Sequence, residues 1–189
     1  MRKKVLWITQ TALLLALLIC LQWLGSQIPA PMAKQLVTGT CVNGVLAITI
    51  LMVGYSAGIT LALISPVMAF LLAIAPNIVT VLPIMVGNVC FVVLLKLICR
   101  KNVSWSSPAA VVCAAAVKAT VLYLLVVELI CKTLAPALMG KKVGQAVVLA
   151  PKMLKMLPAM FSWPQLVTAL AGGALALLIL PALKKALRK

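Results

Sequence analysis

Long apolar runs separated by short polar breaks set the pattern of the chain. A helix that crosses a bilayer needs about 20 mostly apolar residues. Six stretches meet or approach that length: 5–24, 35–54, 57–75, 78–98, 107–131 and 163–183. The first follows the cations Arg2, Lys3 and Lys4, but it is too long for a signal peptide and has no small-x-small cleavage site. Pro29 and Pro31 break the chain after it, and Tyr55–Ser56 is a tight turn. Ser65–Pro66 sits mid-run in the third stretch, where a proline predicts a kink. Pro76–Asn77 closes the next hairpin, and residues 99–106 form a basic polar loop. Residues 132–162 are a long connection of mixed character, and 184–189 a basic tail. With no internal repeat, the pattern predicts one all-α integral membrane domain over 1–189 with six transmembrane helices.

Composition agrees. Of the 189 residues 65% are hydrophobic and 10% charged, against about 45–50% and about 25% in soluble domains. The net charge is +16. In a soluble protein this would suggest nucleic acid, but here the cations fall between apolar runs and read as topology signals and lipid head-group contacts, so no nucleic acid is expected. Six spans put both termini on one face. Ten Lys/Arg lie on that face and six on the other, Lys34 and the five lysines of 132–162. The bias predicts cytoplasmic termini.

Glu128 is the single acid, and Asp and His are absent. This removes aspartic dyads, Ser–His–Asp triads, two-carboxylate glycosidase sites and histidine metal sites. Six cysteines form no CxxC pair and read as small buried hydrophobes. No catalytic residue, metal site or cofactor is expected.

Polar groups at membrane depth are costly and face protein or water. In the fourth span Asn77 and Asn88 are eleven residues apart, within about 20° of each other on an ideal helix, with Thr80 about 60° from Asn77. They read either as one wall of a pocket or as interhelical hydrogen bonds. Lys118 lies near the middle of the fifth span and needs a carbonyl, water or ligand anion. Glu128 is about 15 Å further along and about 80° round, so the two do not pair, and a loop lysine is in reach of Glu128. Gln35, Thr38 and Asn43 open the second span; Trp163, Gln165 and Thr168 open the sixth. Trp163 suits a pocket or an interfacial belt. Together these positions predict a pocket facing outward. Residues 149–157 read as a short amphipathic segment, lying on the bilayer or capping that pocket and attracting an anionic solute. Ala12 and Ala16 share one helix face and allow close helix approach, within the chain or to another membrane protein.

Size, six spans, termini and the Ala12-x-x-x-Ala16 pair resemble the substrate-binding S component of an energy-coupling factor (ECF) transporter. The stretches at 36–43 (LVTGTCVN), 64–66 (ISP) and 83–88 (PIMVGN) look like those of its less-characterised members. The resemblance spans nearly the whole chain. It implies import across a bacterial or archaeal cell membrane of a vitamin or similar micronutrient, with a T component and ABC-type ATPases as partners. It implies that Ala12 and Ala16 dock on the T component. By location it enlists Asn77, Thr80, Asn88, Lys118, Trp163 and Gln165 for substrate, with Glu128 added from its position in the fifth span. The chain also has no GxxxxGK[ST] loop, so an importer of this sequence takes its energy from a partner. A membrane scaffold or small channel and a lipid-modifying enzyme are the alternatives; the missing Asp and His disfavour the enzyme, and polar stripes confined to half-spans disfavour the pore.

Overall fold

The computed structural model describes residues 2–72, 74–75, 77–99, 106–143, 146–147 and 149–187. Arg100, Lys101, Arg188, Lys189 and Pro76, used above for topology and turns, lie outside the described residues, as do the side chains of Arg2, Lys3 and Lys142.

Helix α1 is Arg2–Ser26. Pro31 starts α2 (Pro31–Met52) at a position where the missing N–H has no helical acceptor to serve, so the helix begins ahead of the hydropathy boundary at Gln35. Gly54, at φ 122°, turns the chain into α3 (Tyr55–Leu71) in a conformation that side chains disfavour. A 3₁₀ turn, Ile78–Thr80, precedes α4 (Val81–Ile98). Helix α5 (Ser106–Leu122) runs on into a π-helical stretch, Tyr123–Thr133. The connection predicted as a loop carries α6 (Ala135–Leu138), a two-residue antiparallel pair β1 (Lys142–Val143) and β2 (Ala146–Val147), and α7 (Pro151–Met160). Helix α8 is Trp163–Leu187.

Among the described residues five helices are long and apolar enough to cross a membrane: 4–26, 31–52, 78–98, 107–133 and 163–186. The third apolar run differs from expectation. It is helical for only 17 residues, ending at Leu71 and not at 75, so it is about 25 Å long against a hydrocarbon core of about 30 Å.

Helix α8 packs between α2 and α5, and two adjacent glycines make this possible. A Cβ on Gly172 would lie 2.5 Å from the Thr40 carbonyl oxygen and 2.6 Å from Asn43 Cβ, on α2; one on Gly173 would lie 2.5 Å from Val111 on α5. Such small residues are how helices gain van der Waals contact where lipid offers no hydrophobic drive. The main core joins Leu18, Leu46, Ile50, Leu61, Phe91, Leu95 and Ala114. A second cluster joins Leu122 and Val126 of α5 and its continuation to Leu149, Leu157 and Phe161, which folds α7 back over one end of the bundle. That end is where α1 and α3 finish and α2, α4 and α8 begin, opposite the two termini.

Candidate functional site

Lys118 comes from α5, one turn before the helix widens, and it is only 3% exposed. Its Nζ donates to Asn43 Oδ1 of α2 at 2.5 Å and to Asn88 Oδ1 of α4 at 2.6 Å, and lies 5.5 Å from the Phe91 ring centroid. An ammonium only donates, so both amides must turn their oxygens toward it and their NH₂ groups away. The Asn43 NH₂ then donates to Thr168 Oγ1 at 3.4 Å, and the Thr168 hydroxyl proton goes to the Gln165 carbonyl at 3.2 Å. Gln165 Nε2 reaches the Met160 carbonyl at 3.3 Å, and Gln35 Nε2 reaches the same oxygen at 3.5 Å. One chain of hydrogen bonds therefore runs from the buried lysine through α2 and α8 to the end of α7.

These groups line a cavity of about 120 Å³. Its wall takes Gln22 from α1, Gln35, Thr38 and Asn43 from α2, Ser65 and Pro66 from α3, Asn88 from α4, Lys118 from α5 and Gln165 from α8, with Phe161 after α7. It adjoins a wider vestibule of about 430 Å³ that shares Gln35, Thr38, Ile74 and Ala75 with it. The vestibule is edged by Ile28, Pro29, Pro31, Lys34, Met156 and Met160.

The polar balance of the wall is incomplete. Among the described residues five buried side-chain polar atoms have no hydrogen-bond partner: Trp7 Nε1, Gln22 Oε1, Thr38 Oγ1, Ser65 Oγ and Asn88 Nδ2. All but Trp7 belong to residues lining this one cavity. Buried polar groups are normally satisfied, and each exception costs about 1–3 kcal/mol. Four of these exceptions belong to residues around one space. No acidic side chain is on the wall to balance Lys118. Glu128 pairs with Lys132 at 2.7 Å, one turn along its own helix and partly exposed.

Of the residues that sequence reasoning put forward for substrate, Asn88, Lys118 and Gln165 line the cavity together and the others do not. Asn77 is not on the α4 helix: it caps the 3₁₀ turn through Val79 N–H, so the angle assumed between Asn77 and Asn88 does not apply. Its Nδ2 meets Met153 Sδ on α7 at 3.0 Å. Thr80 is fully buried and donates back to the Asn77 carbonyl at 2.7 Å. Both hold the entry to α4 in place beside the site. Glu128 is turned away into its helix-surface ion pair, and Trp163 is 57% exposed on the outside of α8.

The sequence does not mark Gln22 and Ser65 as site residues; Gln35, Thr38 and Asn43, which it places at an outward pocket, line the cavity, and Thr168 joins it through Asn43. Gln22 had a readable signal, an amide inside an apolar run. Ser65 was masked by its neighbour Pro66, which reads as a kink. On α1, Ala12 and Ala16 are exposed, next to the exposed Ile8, Leu13 and Leu17. Among the described residues no packing covers them.

No curated protein and no solved structure matches the chain. The family model described as "ECF transporter, substrate-specific component" matches residues 7–184. A multi-pass helical protein with a polar cavity at one end is what a solute-uptake subunit needs, and this chain belongs to the substrate-specific components of ECF transporters.

Proposed function

We propose that the chain captures a vitamin or similar small micronutrient in the Lys118 cavity on the outer side of the cell membrane. It then delivers the solute inward in complex with a T component and ABC-type ATPases. The observation that carries this reading is the convergence of four unsatisfied buried polar groups and a buried lysine on one cavity, in a chain of this family. With six membrane crossings and cytoplasmic termini, the cavity opens outward, because it lies at the end of the bundle away from both termini. Helix α3, at 17 residues, crosses with the help of local thinning of the bilayer.

The exposed face around Ala12 and Ala16 is the surface for the T component. Two small residues one turn apart leave a shallow groove into which a partner helix packs closely. The chain does not hydrolyse ATP itself; it lacks a phosphate-binding loop, and energy comes from the ATPases. The test is a pair of measurements on one variant. Ala12→Leu with Ala16→Leu should abolish uptake by the assembled transporter and leave solute binding by the isolated chain unchanged. Mass spectrometry of small molecules that purify with the native chain supplies the solute. Loss of binding together with loss of fold in the alanine variant would show the pair to be internal packing.

A further inference from the structure

Resting on that reading, we infer that the captured solute is a compact monocarboxylate bearing a hydrogen-bond donor, with its carboxylate held between Lys118 Nζ and Asn88 Nδ2 and its donor held by Gln22 Oε1.

The charge comes first. Lys118 is buried among amides, hydroxyls and apolar groups, and no carboxylate lines the cavity. A lone ammonium away from water is costly unless an anion accompanies it. Glu128, the sole acid of the chain, is engaged by Lys132. A carboxylate on the solute would supply the missing negative charge. The same absence disfavours cationic solutes, which would meet Lys118 with nothing to offset either charge.

Hydrogen-bond directions narrow the anion. Nζ carries three protons, and Asn43 and Asn88 take two. Because Asn88 gives its oxygen to Lys118, its unpaired Nδ2 is a donor. Lys118 keeps one proton and Asn88, bonded to it through Oδ1, has an unpaired N–H, so the two residues supply one charged and one neutral donor, and a carboxylate offers them two oxygens. A phosphomonoester carries about −1.5 to −2 charges at neutral pH and would leave excess charge in the cavity. The other lysine of the site, Lys34, stands out in the vestibule. One cation fits one negative charge.

The remaining wall sets the rest of the molecule. Gln22 Oε1 is an unpaired acceptor, so it asks for an N–H or O–H; the Thr38 and Ser65 hydroxyls serve either way. A cavity of about 120 Å³ is slightly smaller than the roughly 150 Å³ that holds benzene. The inner chamber thus takes a carboxylate with a few further atoms, and the body extends into the vestibule past Pro29, Pro31 and Met156.

Matched pairs differing only at the acid group test this on the native full-length chain in lipid nanodiscs, by calorimetry. The probes are pantothenate with pantothenol, biotin with its amide, and thiamine as a cation. Small molecules extracted from the purified protein are identified in parallel. One carboxylate of the panel or of the extract should bind at least tenfold more tightly than its neutral counterpart. Lys118→Met should raise its Kd to that of the neutral counterpart, and Asn88→Leu should raise it as well. The pair comparison needs no variant, so it decides the matter even where Lys118→Met fails to fold. A neutral or cationic compound that binds as tightly, with Gln165→Leu weakening it, overturns the carboxylate and leaves solute capture standing. A chain that binds none of the panel and carries no extractable solute overturns both.

Discussion

The contact between Lys118 and Asn43 makes a stability experiment that needs no ligand. Asn43→Leu keeps the forked shape of the side chain and removes its hydrogen bonding. In the native background it takes away one of the two acceptors of a buried ammonium, the 2.5 Å contact, and the donor to Thr168. Hydrogen bonds to charged groups contribute about 1.5–3 kcal/mol and neutral ones about 0.5–1.5 kcal/mol, so the expected cost is about 2–4 kcal/mol. For a chain of this length 1 kcal/mol corresponds to about 2–4 °C in melting midpoint, giving a fall of about 4–16 °C. In a Lys118→Met background the same change removes an oxygen that no longer has a donor, and its cost should shrink to the Thr168 bond alone. The double-mutant cycle should therefore return a coupling of at least about 1.5 kcal/mol between the two positions. Thermal unfolding of the four proteins in one detergent, followed by tryptophan fluorescence, reads it. Additive midpoint shifts, within about 0.5 kcal/mol, would refute the picture of an ammonium held by amide oxygens.

Gly172→Ala should destabilise the chain by about 1–3 kcal/mol through overpacking and weaken solute binding, since the new methyl would sit 2.6 Å from Asn43 Cβ; retained stability and binding in melting and calorimetric assays would argue against the close α2–α8 contact. Gln165→Leu removes the bond to the Met160 carbonyl and a wall amide, so it should speed proteolysis within 135–161 and raise the Kd for solute severalfold. Glu128→Gln should alter neither melting midpoint nor binding, because an exposed ion pair one turn apart on a helix adds little; a clear loss of binding would return Glu128 to the site.

Helices and their apolar extent were legible in the sequence because membrane crossing demands a local property, about 20 apolar residues in a row. What local patterns did not carry is how the helices meet. Asn43, Asn88 and Lys118 lie on three separate helices, and their convergence depends on packing at positions such as Gly172 and Gly173. Their depth was readable and their partnership was not. The placement of Asn77 failed for a definite reason: helical angles assume an unbroken helix, and the 3₁₀ turn at Ile78–Thr80 resets the phase before α4. The amphipathic segment at 149–157 overlaps α7, but its seat was not readable, because α7 is stabilised by burying Leu157 against Leu122 and Val126, a contact made far along the chain. Its amphipathic pattern alone suits a membrane surface equally well.

The most informative sequence signal was a mismatch of charges. A chain with 17 cations and one acid places a lysine in the middle of a span where no acid can follow it. The fold gives that lysine two amide oxygens and withholds a counter-charge. Amide oxygens hold an ammonium in a fixed direction without neutralising it, which leaves the site positive until a solute arrives. Through Asn43, Thr168 and Gln165 the same bonds end at the Met160 carbonyl of α7, so occupancy at the lysine and closure of α7 over the cavity draw on one network. Binding and capping are for that reason expected to be coupled, with slower proteolysis of 135–161 in the loaded chain as the sign of it and equal cleavage rates with and without solute as the refutation.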